Sequence, residues 1–218
     1  MNTTPMTPQD RLVFALDVPA QKEAERYVKM LEGVVGCFKV GLELFISEGP
    51  DVIKMIHDHS SANIFLDLKL HDIPATVRGA LRSVEKLGVR YITLHSTEGE
   101  VILETAEEVK DSGLEVLAVT VLTSTSASSL ASLGIREDIN AAALVLDRAI
   151  RAKNSGCAGV VCSGKEAKLV KLKCGGEFKI VVPGIRPEWA RVSGDDQNRI
   201  ATPSQAIEDG ADMIVVGR

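Results

Sequence analysis

Three charged side chains lie within or just after an apolar run between Leu66 and Pro74. Asp67 and Lys69 are two residues apart, and Asp72 follows three residues later. Because side chains alternate between the two faces of a strand, Asp67 and Lys69 are expected to point the same way. Pro74 cannot continue a central strand but suits the first turn of a helix. The pattern predicts two carboxylates and one ammonium group at the carboxyl end of a strand.

Two interpretations of this cluster are open. An Asp-x-Lys pair can be a structural ion pair that closes the end of a sheet, because structural networks also gather charged groups. Alternatively, a lysine between two carboxylates stays protonated, which suits a proton donor better than a nucleophile. The carboxyl ends of parallel strands are where α/β proteins place their chemistry, which favours the second interpretation.

Other predicted strands also end in polar residues. Asp17, Lys39 and Ser124 each lie at or near the end of an apolar run. Barrel strands are filled by branched apolar residues, so charges at several strand ends indicate a site. Two lysines that face two aspartates can all remain charged, since each has an opposite charge nearby.

The last two predicted strands are followed by residues suited to binding phosphate. Gly184 and Gln197 follow the seventh strand, and Gly217 and Arg218 follow the eighth. Arginine grips phosphate with two hydrogen bonds, and glycine lets backbone N–H groups approach. An ordinary surface loop is the alternative for residues 184–187. A helix-free connection over residues 183–199 is nevertheless long, and such connections are often active-site lids.

Apolar runs alternate with helical patterns along the whole chain, and glycines recur at the predicted helix ends. The strands are predicted at residues 12–16, 37–40, 63–68, 89–94, 114–122, 158–162, 178–182 and 213–216. The helices are predicted at residues 19–32, 42–59 with a break near Gly49-Pro50, 75–87, 99–110, 128–133, 137–153, 166–172 and 202–209.

This alternation implies parallel strands joined by right-handed crossovers. Eight units favour an α/β fold of the (β/α)8 TIM-barrel type, as one domain over residues 1–218, with an open sheet as the alternative. Residues 1–10 are expected to form a loose lead-in. The chain stops directly after the eighth strand, so the last helix of a barrel is expected to be missing.

Composition narrows the classes of partner. The 218 residues carry a net charge of −5 without a basic stripe, which argues against nucleic acid. No apolar run reaches the roughly 20 residues of a membrane span, and the amino terminus lacks the apolar core of a signal peptide. The cytoplasm is therefore the expected location. The four cysteines show no metal or redox spacing, and no metal site is predicted.

Taken in order, these motifs resemble the orotidine 5'-phosphate decarboxylase family. The resemblance rests on residues 67–74, 14–17, 38–41, 121–124, 182–186, 196–199, 202–203 and 216–218, which span nearly the whole chain. The Asp-x-Lys-x-x-Asp core alone is shared with related sugar-phosphate decarboxylases and aldol-type enzymes. The Asp-Ile-Pro continuation and the glutamine in the seventh loop make the resemblance more specific.

The resemblance implies cofactor-free decarboxylation of orotidine 5'-phosphate to uridine 5'-phosphate in pyrimidine biosynthesis. It implies a charge network in which Lys69 gives its proton to C6 of the pyrimidine, and a homodimer in which the second aspartate of the motif is shared between subunits. The implied charge network is Lys39, Asp67, Lys69 and Asp72; Ile73 and Thr76 accompany Asp72 across the interface. The resemblance implies that Asp17 and Lys39 contact the ribose, that Ser124 contacts the pyrimidine, and that Gln197, Arg218 and the backbone of Gly217 hold the phosphate. Further implied substrate-binding residues are Thr123, Pro183 and Arg186, together with Ile73 and Thr76.

Two rival functions fit the same barrel. A metal-dependent sugar-phosphate decarboxylase or aldol-type synthase would use Asp67 and a nearby carboxylate to hold Mg²⁺. A catalytically silent barrel would bind a nucleotide tightly without converting it. Loss of activity in a chelator would indicate the first rival, and binding without turnover the second.

Overall fold

A computed structural model describes residues 6–125, 127–132, 134–136, 140–187, 189 and 201–217, except the side chains of residues 127 and 128. Eight parallel strands in this part of the chain close into a barrel in sequence order, β1 pairing with both β2 and β8. The predicted (β/α)8 barrel is thus confirmed. The strands are β1 (Leu12–Ala15), β2 (Cys37–Gly41), β3 (Asn63–Leu70), β4 (Tyr91–His95), β5 (Glu115–Val119), β6 (Gly159–Val161), β7 (Lys179–Val182) and β8 (Met213–Val216).

Helices follow the strands and form the outer layer. They are α1 (Gln21–Leu31), α2 (Leu42–Glu48), α3 (Asp51–His59), α4 (Pro74–Glu85), α5 (Glu100–Leu103), a 3-10 helix (Glu104–Val109), α6 (Ala127–Ser132), α7 (Ala141–Asn154), α8 (Gly164–Cys174) and α9 (Pro203–Glu208). Across the described residues, no helix is both long enough and apolar enough to cross a bilayer.

The core has two layers because alternate strand residues face opposite sides of the barrel wall. One cluster fills the barrel interior and draws members from nearly every strand: Val13, Ala15, Cys37, Phe65, Tyr91, Leu117, Val181, Met213 and Val215. The other, larger cluster lies between the barrel and the helices. The barrel interior is therefore packed with side chains.

Local signals explain most of the element boundaries. The predicted helix 42–59 breaks in two at Gly49, whose φ of +63° ends α2. Thr202 caps α9 by accepting a hydrogen bond from the backbone N–H of Gln205, with Pro203 in the first turn. Asn140 caps α7 in the same way, so that helix begins at Ala141; residues 137–139, where a start was predicted, lie outside the described residues.

Three expectations need correction. The single helix predicted over residues 99–110 is a short α-helix followed by a 3-10 helix. Strand β3 continues to Leu70, two residues beyond its predicted end. Residues 6–10 are not loose: Met6 packs against the interior cluster, and the carbonyl of Gln9 accepts a hydrogen bond from the N–H of Gly36 at 2.9 Å. A side chain at position 36 would collide with the backbone of Asp10, which explains the glycine there. Residues 1–5 lie outside the described residues.

Candidate active site

A cavity of about 280 Å³ opens at the carboxyl ends of the strands. This is the end of a parallel barrel where the loops after the strands can surround a ligand. Its walls combine apolar side chains from the strand ends with charged and polar groups: Ala15, Asp17, Lys39, Phe65, Asp67, Lys69, Val119, Val121, Leu122, Thr123, Ser124, Val161, Cys162, Pro183, Gly184, Arg186, Val215, Val216 and Gly217.

Four side chains of alternating charge form a row along the lining of this cavity. The Nζ atom of Lys39 lies 3.1 Å from Oδ1 of Asp17 and 3.8 Å from Oδ2 of Asp67. The Nζ atom of Lys69 donates a hydrogen bond to the same Oδ2 of Asp67 at 2.9 Å. The Lys39 side chain is 11% exposed and that of Asp67 is 15% exposed. Burial weakens screening by water, so the opposite charges of Lys39 and Asp67 attract each other more than they would at a fully exposed site.

The backbone around Lys69 departs from regular strand geometry. Lys69 has a φ of +51° and is the only non-glycine residue with positive φ in the described part of the chain. Pairing between β3 and β4 shifts there: Leu66 pairs with Ile92, yet Leu70 pairs with Leu94. Three β3 residues therefore lie opposite the single residue Thr93. Asp67 and Lys69 meet as expected, but through an irregular bulge rather than simple alternation.

Residues at the ends of β5, β7 and β8 also line the cavity. Thr123 and Ser124 contribute from the loop after β5, and Pro183, Arg186 and Gly217 from the loops after β7 and β8. A Cβ atom at position 217 would lie 3.1 Å from the Cβ of Ala15, so glycine keeps this corner open. Gln197 and Arg218, the other predicted phosphate ligands, lie outside the described residues.

Asp72, Ile73 and Thr76 lie on the rim rather than in the cavity of the same chain. Asp72 is exposed, and its Oδ1 accepts a hydrogen bond from the N–H of Ile73 at 2.6 Å. The Ile73 side chain is 65% exposed, and Thr76 is exposed on the first turn of α4. Within one chain, Lys69 is therefore paired with Asp67, while Asp72 projects at the barrel surface.

Comparison with known proteins identifies the family. The family model described as "Orotidine 5'-phosphate decarboxylase / HUMPS family" matches residues 10–218. The chain belongs to this family. It is 48% identical to an orotidine 5'-phosphate decarboxylase of Desulfosudis oleivorans, an alignment that covers 97% of this chain and 86% of that protein. It is 44% identical to the corresponding enzyme of Syntrophotalea carbinolica, over 95% of this chain and 86% of that protein.

A solved structure of the family has the same fold. The crystal structure of orotidine 5'-phosphate decarboxylase from Lactobacillus acidophilus is 36% identical in sequence and superposes with a TM-score of 0.81. The match covers 95% of this chain and 89% of that one. The chain is accordingly an enzyme of the carboxy-lyase class, and its family supports decarboxylation of orotidine 5'-phosphate, a reaction of pyrimidine synthesis.

The cavity brings together most of the residues predicted from the sequence. Asp17, Lys39, Asp67, Lys69 and Ser124 all line it, together with Thr123, Pro183, Arg186 and Gly217. Among the described residues, no three His, Cys, Asp or Glu side chains are grouped as a metal site would require. Both of the cavity aspartates pair with lysine, so a cation would have to displace an ammonium group.

Sequence reasoning missed two residues of this region. Thr93 is fully buried in β4 and hydrogen-bonds to both members of the Asp67–Lys69 pair. Cys162 is a buried thiol that also lines the cavity. No signal in the sequence marked Thr93, because threonine is common in strands.

His95 lies at the end of β4 beside this charged group. Burial lowers the pKa of His95 below its ordinary value of 6.5, and the positive charges of His71, Lys69 and Arg148 lower it further. The negative charge of Asp67 acts in the opposite direction and is the weakest of these influences. The Nδ1 atom of His95 is buried without a hydrogen-bond partner among the described residues. These influences favour the neutral form of the His95 imidazole.

Proposed function

We propose that this enzyme decarboxylates orotidine 5'-phosphate to uridine 5'-phosphate without a metal or organic cofactor, with Lys69 as the proton donor. The observation that carries the proposal is the row of alternating charges Asp17–Lys39–Asp67–Lys69. This row ends in the ammonium group of Lys69, which lines the cavity. A protonated lysine held by a partly buried carboxylate is suited to stabilise negative charge that develops on a bound substrate.

The reaction breaks the bond between C6 of the pyrimidine and its carboxylate. Carbon dioxide leaves, and the electron pair remains on C6 as a carbanion. The Lys69 Nζ then donates a proton to C6, which gives uridine 5'-phosphate and a neutral amine that regains a proton from water. Asp67 holds Lys69 in place through the 2.9 Å hydrogen bond. Its negative charge would also disfavour the substrate carboxylate before that group is lost, a form of ground-state destabilisation.

Other cavity residues would orient the substrate. Asp17 and Lys39 are suited to the ribose hydroxyls, and Thr123 and Ser124 to the polar edge of the pyrimidine. The phosphate would lie at the loops after β7 and β8, where Arg186 and Gly217 line the cavity. Gln197 and Arg218, which lie outside the described residues, are the further phosphate ligands of the proposal. Pro183 would shape the loop between these groups. Phosphate binding far from C6 would supply remote binding energy to the chemical step.

A homodimer would complete the site. Asp72 of one subunit would reach the cavity of the other, accompanied by Ile73 and Thr76. Exposure of these three residues at the rim supports the proposal, because an isoleucine that is 65% exposed beside an active site is suited to an interface. Lys69 would then lie between Asp67 of its own chain and the second aspartate from the neighbouring chain. The cytoplasm, where pyrimidine nucleotides are made, is the proposed location.

The experiment that tests this function follows the orotate chromophore spectrophotometrically when purified enzyme meets orotidine 5'-phosphate with a chelator present throughout. Loss of the chromophore at an undiminished rate in chelator supports the proposal. Turnover only after Mg²⁺ is added, or turnover of sugar phosphates instead, would establish the metal-dependent rival. Tight binding of uridine 5'-phosphate without any turnover would indicate a silent binding protein.

A further inference from the structure

Thr93 occupies a special position in the barrel wall, because it is the one β4 residue opposite the three β3 residues from Asp67 to Lys69. Its side chain is fully buried, with 0% exposure. It is not among the residues that line the cavity, so its place in the fold gives it no direct access to a ligand. Any influence of Thr93 on the reaction must therefore pass through its neighbours.

The Thr93 hydroxyl makes two hydrogen bonds whose directions are determined by their partners. The backbone N–H of Lys69 donates to Oγ1 of Thr93 at 2.8 Å. A backbone N–H can only donate, so the hydroxyl oxygen must accept that bond. The hydroxyl hydrogen is then free for Oδ1 of Asp67, to which Thr93 donates at 2.9 Å. An ionised carboxylate can only accept, so the direction of this bond is determined as well.

One hydroxyl thus holds both members of the Asp67–Lys69 pair. It anchors the backbone of Lys69 in the left-handed conformation with φ of +51°, which non-glycine residues rarely adopt. It also occupies the Asp67 oxygen that does not contact a lysine, since Lys39 and Lys69 both approach Oδ2. The two hydrogen bonds thereby hold the carboxylate of Asp67 and the backbone of Lys69 in a defined relative orientation.

We infer that Thr93 is a positioning residue for the decarboxylation, which it serves by holding Lys69 and Asp67 in the geometry needed for proton transfer. The inference rests on the proposed function of Lys69 as proton donor. Without the hydroxyl, the buried N–H of Lys69 and Oδ1 of Asp67 both lose a partner, and the bulge can relax toward a regular strand. The Nζ atom of Lys69 would then move away from its position in the cavity lining.

Thr93→Val tests the inference because valine keeps the shape of threonine and removes only the hydroxyl chemistry. We expect kcat to fall by about 10- to 100-fold, the scale associated with displacement of a catalytic group by about 1 Å. KM should stay close to the wild-type value, since Thr93 does not line the cavity. Thr93→Ser restores the hydroxyl and should recover most of kcat.

Thr105→Val is the matched control. Thr105 is also buried, with 1% exposure, and its hydroxyl donates to the carbonyl of Ile102 at 2.6 Å in the outer layer. This change removes a comparable hydroxyl away from the cavity and should leave kcat unchanged. Equal losses in Thr93→Val and Thr93→Ser, or full kcat in Thr93→Val, would overturn the inference.

A crystal structure of Thr93→Val supplies a readout that does not depend on turnover. We expect the 2.9 Å contact between Lys69 Nζ and Asp67 to be lost and the positive φ of Lys69 to relax. An unchanged contact and φ would overturn the positioning role even if activity fell. If the wild-type enzyme proves inactive toward orotidine 5'-phosphate, the proposed function fails, and this structure still decides whether Thr93 holds the pair.

Discussion

Replacement of Asp67 by asparagine removes the one negative charge that lies between two ammonium groups. With an effective dielectric constant of about 20, the 2.9 Å pair with Lys69 has a Coulomb energy of about 6 kcal/mol. The 3.8 Å pair with Lys39 adds about 4 kcal/mol on the same scale. Desolvation offsets much of this attraction in the folded state, and breaking a buried pair typically costs about 3–5 kcal/mol. Because Lys69 keeps 32% of its side chain exposed, we expect a loss near the lower end, about 3 kcal/mol.

The same change should also lower kcat, by about 100-fold or more, because Lys69 loses the partner that orients it. Urea unfolding followed by circular dichroism gives the stability, and the orotate chromophore gives the rate. Asp212→Asn is the matched control: Asp212 is 19% exposed and pairs with Lys171 at 2.8 Å outside the cavity. That variant should lose stability and keep kcat.

Two results would refute this reasoning. If Asp67→Asn is as stable as the wild type, the alternating charges do not stabilise the fold and the Coulomb argument is wrong. If its kcat stays within about tenfold of wild type, Asp67 does not orient the proton donor, because even 1 Å of misplacement should cost more.

Three further predictions address the interface, pH and thiols. The variants Lys69→Ala and Asp72→Asn should each be nearly inactive alone. Activity should reappear when the two are mixed, because a heterodimer contains one intact site. Heterodimers without activity would exclude a shared site. Because the folded pKa of His95 lies below 6.5, the unfolded chain binds that proton first as pH falls, so stability should decrease below about pH 6.5. Urea titrations at pH 7.5 and 5.5, about one unit on either side of that value, measure this loss of unfolding free energy. The loss should be smaller in His95→Gln than in the wild type, and an equal loss would show that other groups cause it. Burial raises the pKa of Cys157 to about 12, so iodoacetamide should alkylate it at pH near 8 only after unfolding, as peptide mass spectrometry can check.

Local patterns were sufficient to predict the barrel. Each strand is a short apolar run, and each connection carries its own capping or turn residue, such as Thr202 before α9 or Gly49 between α2 and α3. These signals act over a few residues, so they can be recognised in a linear sequence. Eight such units with parallel crossovers allow few other closed arrangements. The 3-10 helix after Leu103 was not recognised, because helical periodicity does not distinguish the two helix types over one or two turns.

The charged residues of the site were also evident from the sequence, and their partners were not. Asp17, Lys39, Asp67 and Lys69 stand out because charge is costly in a strand unless it is paired. The pairings depend on how far neighbouring strands are offset, a property of the closed barrel and not of any single segment. The exposed position of Asp72 depends likewise on the turn that follows the bulge.

Thr93 shows most clearly what only the tertiary structure decided. In the sequence it is one threonine within a strand, 24 residues from Lys69. Threonine is common in strands, so its type carries no functional signal. Its two hydrogen bonds exist because β3 has three residues opposite one residue of β4, an offset that arises only when the strands pair. The sequence determined which charged groups the proposed site contains, and the register between two strands determined how those groups are held.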